Sequence, residues 1–171
     1  MTEDVVRALG FLCLGTRLKR IGERLQADTQ EVIDSFDAGV VASQFPFLAA
    51  LDRLGPLAVG ELAEAIGVTQ PGATKTTIQL VGLGFVRVEQ SPEDQRRKIV
   101  GLTEKGQAVV DTAKRELWPL IDHAVADLCG GLDAPFLDQL VRIEDGLTAA
   151  PLARRVGKNL PKEGVRHDTR A

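Results

Sequence analysis

Between Val59 and Gly84 the chain has little choice of local structure. Leu62, Ala63 and Ile66 fall on one helical face, and Gly67 is placed to take the left-handed conformation that ends a helix. Thr69 can then cap a second helix whose first turn tolerates Pro71, with Ala73, Ile78, Leu80 and Val81 carrying it on to Gly82-Leu83-Gly84. The pattern predicts a helix, a tight glycine-containing turn and another helix. Directly afterwards Phe85-Val86-Arg87-Val88-Glu89 alternates apolar and polar side chains, Ser91-Pro92-Glu93-Asp94 has turn chemistry, and residues 97–102 read as a returning strand. A β-hairpin is therefore expected behind the second helix.

The flanks read as long helices. Residues 3–36 place Leu14, Leu18, Ile21, Leu25, Val32 and Phe36 at steps mostly of three and four, which predicts one amphipathic helix. About 30 helical residues span roughly 45 Å, more than a compact domain of this size has to cover. Part of that stripe is expected to pack on a second copy of the chain, giving a homodimer. A helix over Ser43–Leu54 with Ser43 as its cap is expected next, then one running from Thr103 to about Leu128 and kinked or restarted at Pro119. Asp133, followed by Pro135, should cap a last helix to about Leu147. The fold class is α+β, mostly α. It divides into an N-terminal helix over 1–36, a helix-turn-helix and hairpin region over 37–106, C-terminal helices over 107–150 and a basic, flexible tail over 151–171.

With 171 residues, 44% hydrophobic and 26% charged, the composition is that of a soluble globular chain able to bury a core without metals or disulfides. No stretch approaches the roughly 18 to 20 apolar residues of a spanning helix, and Glu3 and Asp4 stand where a signal peptide would be basic. No membrane association and a cytoplasmic location are the expectations. Catalysis has little to stand on. The two cysteines, Cys13 and Cys129, have neither disulfide nor metal-ligand spacing, and the two histidines, His123 and His167, lie far apart. Gly101 to Gly106 lacks the lysine of a phosphate loop, and the serines stand in no nucleophile-elbow pattern. Neither an enzyme nor a cofactor or metal site is expected.

Charge is distributed unevenly. The net is −3, with 21 basic and 24 acidic residues, yet residues 151–171 carry six cations against two acids, leaving −7 for the rest. That tail is either a solubilising end or a basic arm that touches phosphates. Any contact with nucleic acid in the body of the chain has to be local. The start of the second helix supplies one such surface in Thr69, Gln70, Thr74, Lys75, Thr76 and Gln79. Gln can read adenine through two hydrogen bonds, Thr can meet a thymine methyl or a phosphate, and Lys can hold guanine or phosphate. Exposed amides at the helix start would add a phosphate site. Arg96, Arg97 and Lys98, just after the hairpin turn, can reach phosphates or a narrow minor groove, with Asp94 close enough to orient Arg96. An ordinary solvated face and a plain surface turn are the competing readings.

In order and spacing, the words Gly55-Pro56-Leu57, Glu61-Leu62-Ala63, Gly67-Val68-Thr69-Gln70-Pro71, Leu83-Gly84-Phe85-Val86, Pro92-Glu93-Asp94-Gln95-Arg96-Arg97 and Leu102-Thr103-Glu104-Lys105-Gly106 resemble winged helix-turn-helix regulators of the MarR type. The likeness covers about residues 5–147. It implies a homodimer joined by its first and last helices, a helix in each of two major-groove half-sites of double-stranded DNA, and a wing arginine, here Arg96, in the minor groove. It also implies a repressor of transcription released by a small aromatic or amphipathic effector. The recognition helix departs from the family pattern, with Lys75 at its first basic position and Gln79, Gly82 and Leu83 where further cations often stand. A small-molecule-binding dimer with weak DNA affinity is accordingly the alternative function.

The helices that the resemblance places around an effector cleft carry Phe11, Arg17, Phe45, Phe47, Trp118 and His123, where an aromatic acid could meet both rings and a cation. Each can equally be core. One MarR-like branch senses hydroperoxides through a cysteine in its first helix. Arg17 lies one turn after Cys13, but Phe11, Leu12 and Leu14 make its setting apolar and the chain has no tyrosine, so a structural thiol is expected.

Overall fold

A computed structural model describes residues 2–36, 39–91, 98–130, 132 and 135–159, with backbone alone at 156–159. Two compact units are present, residues 1–124 and 125–171. The first opens with α1 (Val5–Ala8), capped by the Asp4 carboxylate, which accepts from the Arg7 N–H at 3.1 Å. A 3-10 turn over Gly10–Cys13 leads into α2 (Leu14–Asp34). The single helix expected over 3–36 is thus broken. Gly10 takes φ of +53°, a conformation that no helix continues through. Arg20 spans the break, its guanidinium donating to both Asp4 carboxylate oxygens at 3.2 and 2.9 Å.

A 3-10 turn over Ala42–Gln44 precedes α3 (Phe45–Leu54), and Ser43 is not its cap. Gln44 takes that position. Its buried side chain accepts from the Val41 N–H, and Pro46 in the first turn needs no donor partner. α4 (Val59–Ile66) ends at Gly67 with φ of +75°, and the Ala58 N–H donates to the Glu61 carboxylate at its start. α5 (Gln70–Gly82) begins as expected, with Thr69 Oγ1 accepting from the Gly72 N–H at 3.3 Å.

Strands β1 (Val86–Gln90) and β2 (Lys98–Leu102) form the expected antiparallel hairpin, with Val88 opposite Val100. Leu57 adds a short bridge to Val100, with hydrogen bonds of 3.0 and 2.7 Å. Thr103 caps α6 (Glu104–Thr112) through the Gly106 N–H, after which a π turn (Ala113–Leu117) leads into α7 (Trp118–Cys129). Pro119 was expected to disturb this helix. The wider turn lies just ahead of it, and at Pro119 itself the N–H that would close an ordinary turn is missing.

The core of the first unit gathers Ile33, Leu48, Leu62, Leu80, Val100, Val110 and Leu117 from every layer. Asp52 of α3 is fastened to the opposite wall by the Lys114 ammonium at 2.5 Å and the Gln107 amide at 3.0 Å. Lys114 first, then Gln107, holds the Asp52 carboxyl below the usual aspartate range. Because the folded value is depressed, its stabilisation is present above the unfolded value near 3.8 and is lost as pH falls through the folded one. With Lys114 half-exposed, Asp52→Asn should cost about 1 kcal/mol at neutral pH and flatten the acid side of the stability profile, measured by urea midpoints from neutral to acid pH.

In the second unit α8 (Phe136–Ala149) starts after Pro135, and Asp133, the expected cap, lies outside the described residues. α9 (Leu152–Asn159) occupies the first part of the basic segment 151–171, where no helix was expected. Arg155 supports it by donating from Nε to the Ala150 carbonyl at 2.7 Å and from Nη2 to the Gly146 carbonyl, at the end of α8 where a cation is favoured. Residues 160–171 lie outside the described residues. Among the described residues, no helix is long and apolar enough to cross a membrane.

Candidate nucleic-acid interface

The geometry of α5 follows from which of its residues the core takes. Ala73, Thr77 and Leu80 are buried, so the opposite stripe of Pro71, Thr74, Lys75, Ile78 and Gly82 faces outward. Gln70, Thr74, Lys75 and Gln79 are exposed, and Thr76 is half-buried at the flank. Thr69 holds the cap, and Thr74 Oγ1 donates to the Gln70 carbonyl at 2.9 Å, leaving its lone pairs outward. Pro71 has no N–H and Thr69 takes that of Gly72, so Gln70 supplies the remaining amide of the first turn. The helix start is a narrower anion site than its position alone suggested.

Beside it, Lys98 stands exposed at the start of β2, whereas Asp94, Arg96 and Arg97 lie outside the described residues. Arg87 is committed to the hairpin itself, donating to Glu89 at 2.7 Å and to the Leu102 carbonyl. That ion pair also removes Glu89 as a free charge. Glu61 is held at the start of α4 by the Ala58 N–H, from which its carboxylate accepts at 2.9 Å.

A clasp fixes the end of α5 and the root of the hairpin together. Lys105 Nζ donates to the Leu83 carbonyl at 2.8 Å and lies 4.6 Å from the centre of the Phe85 ring. Thr103 Oγ1 donates to the Gly84 carbonyl at 2.7 Å, and the Thr103 N–H to the Phe85 carbonyl at 3.0 Å. Gly84 makes the turn at φ of +76°.

Residues 41–98 match the family model described as the MarR family. Over that stretch the chain is similar to MarR-family domains. The family is one of transcriptional regulators. Among solved structures, the chain is similar to the transcriptional regulator MOSR of M. tuberculosis in complex with DNA, at 26% identity and a TM-score of 0.62, over 80% of this chain and 94% of that one. It is similar to a cysteine-to-serine mutant of MarR from E. coli complexed with operator DNA, at 21% identity and 0.65, covering 86% and 98%. A third is BpsR of Bordetella bronchiseptica, whose DNA binding is regulated by 6-hydroxynicotinic acid, at 24% and 0.61, covering 79% and 98%.

The six residues expected around an effector cleft differ in their surroundings. Phe45 and Trp118 meet edge to face at 6.2 Å against the core, and Phe47 is buried. Phe11 and His123 are exposed, and Arg17 is half-buried. A cavity of about 320 Å³ is lined by Phe36, Lys105, Ala108, Val109, Thr112, Ala113 and Leu117. Sequence reasoning passed over this set because α6 reads as an ordinary amphipathic helix. The one signal was Lys105, a cation beside the Thr103 cap. Cys13 and Cys129 are both half-buried free thiols.

Proposed function

We propose that the chain acts as a homodimer on a pseudo-palindromic operator, each copy placing α5 in a major groove and its hairpin loop over the adjacent minor groove, and that it represses transcription there. The observation that carries this reading is the outward polar stripe at the start of α5, with Lys75 at its centre, held rigid by Ala73, Thr77 and Leu80 beside a cation-bearing hairpin. The solved relatives in complex with DNA support it. Thr69, Gln70, Thr74, Thr76 and Gln79 read or position the duplex, Lys75, Arg97 and Lys98 neutralise phosphates or hold guanine, and Arg96, oriented by Asp94, enters the minor groove.

A dimer accounts for the apolar surface a single chain leaves open. Phe11 is 93% exposed, and Leu12, Ile21, Leu137, Val141 and Leu147 are exposed as well. Isolated monomers rarely show such stripes. Release by a small aromatic acid is the accompanying proposal, supported by the regulation of BpsR by 6-hydroxynicotinic acid and by the cavity that borders Lys105. Such a ligand has to prefer one of two conformations of the dimer, since equal affinity would shift nothing.

The test is binding to DNA flanking the chain's own gene at two salt concentrations, with wild type, Lys75→Ala and Arg96→Ala. Each variant should lose about 1 to 3 kcal/mol if its side chain makes a two-pronged base contact, and less for a phosphate contact alone. Loss of a phosphate contact should also make the salt dependence shallower by about one unit of slope. The second reading, a small-molecule-binding dimer, is favoured by Lys75 being the only cation of α5. Failure of the wild type to bind any genomic fragment would select it.

A further inference from the structure

α5 is turned inside out at one step. Thr77, with a hydroxyl, is 4% exposed and its Oγ1 has no hydrogen-bond partner among the described residues, while its neighbour Ile78 is 66% exposed. Apolar packing would place these two residues the other way round. Ile78 follows Thr74 by four residues and Lys75 by three, so it continues their outward stripe by one turn. Next on that stripe is Gly82, where an added Cβ would meet nothing within 4 Å. No packing contact demands glycine there, and its lack of a side chain leaves the flank of Ile78 low.

We infer that Ile78 is a base-reading residue, an apolar finger that packs on thymine C5 methyl groups in the major groove. It rests on the DNA reading above and adds to it the class of base that this position selects. The argument is chemical. The thymine methyl is the apolar group that base edges present in the major groove, and Ile78 is the large apolar side chain that the groove-facing stripe exposes to it. Lys75 and Gln79 serve the hydrogen-bonding edges and phosphates, and the smaller methyl of Thr74 lies one turn earlier on the stripe. Ile78 is thereby placed to favour A·T pairs at the part of the half-site reached by the second turn of α5.

The experiment uses the full chain and a duplex selected by it from a random-sequence library, compared with versions in which single thymines become deoxyuridine, which lacks the methyl. For the wild type, removing the methyl that Ile78 meets should weaken binding about fivefold per half-site, the scale of one buried methyl group. Ile78→Ala should lose a similar factor on the thymine duplex, lose nothing further on the deoxyuridine duplex, and keep the wild-type melting temperature. Lys75→Ala should weaken both duplexes equally. Wild-type affinity for Ile78→Ala, undiminished thymine preference in that variant, or a selected half-site without thymine would each overturn the role of Ile78 while leaving the DNA reading intact. If the wild type selects no duplex, the DNA reading fails and the role of Ile78 falls with it.

Discussion

Gly106→Ala should be among the most damaging single substitutions in the chain, with an expected loss of about 3 to 5 kcal/mol in unfolding free energy. A Cβ at Gly106 would sit 1.9 Å from the Phe85 carbonyl oxygen, 2.9 Å from its carbon and 3.3 Å from Leu102 Cδ2. Two of those three atoms are backbone, so no rotamer change relieves them. The Phe85 carbonyl is held by the Thr103 N–H, and Gly106 lies in the first turn of α6, so the methyl can be accommodated only by parting α6 from the start of β1. Urea unfolding followed by helical dichroism measures the loss. A cost under about 1 kcal/mol would mean that the junction opens freely and is not the rigid clasp described here.

Leu137→Glu should separate the proposed dimer. Its side chain is 73% exposed, and α8 buries none of its 14 residues within one chain. A helix of that length with no buried face has little reason to persist in water on its own. Phe136, Leu137, Val141 and Leu147 give it an apolar side that a second copy would cover. A carboxylate at the centre of that side has no favourable place in a dimer, while costing nothing in an exposed position. Light scattering should report one chain in place of two at micromolar concentration. Operator affinity should fall by about 100-fold or more, because two tethered reading heads gain that much from effective concentration. A variant that remains dimeric would place the interface elsewhere.

The helix-turn-helix and the hairpin could be read from the sequence because their signals are local. Gly67 stops one helix, Thr69 caps the next, Pro71 fits its first turn and Thr103 caps α6, each acting within four residues of itself. Features decided at a distance were harder to see. Apolar periodicity runs unbroken past Gly10, so the break there rests on a backbone angle that periodicity does not register. Gln44, and not Ser43, stands at the start of α3 because a 3-10 turn over Ala42–Gln44, closed by the Gln44 side chain on the Val41 N–H, precedes the helix. The composition of residues 151–171 concealed α9, whose anchor is Arg155 reaching back to carbonyls at the end of α8. Of the expected effector residues, Phe45 and Trp118 became core partners, because a large aromatic side chain is consumed first by whatever surface lies nearest. Inside α5 the periodic template placed Ile78 within and did not anticipate Thr77 taking the inner position.

Leu83, Gly84 and Phe85 present three successive carbonyls, all taken by the opening residues of α6. The end of one helix and the root of the hairpin therefore hang from the same bracket. A turn of α6 through a few degrees would swing both together, as a crank moves everything bolted to it, with no slack in which one could lag the other. Their mutual spacing is set by that bracket, so adjustment to a differently shaped duplex has to come from moving the whole assembly.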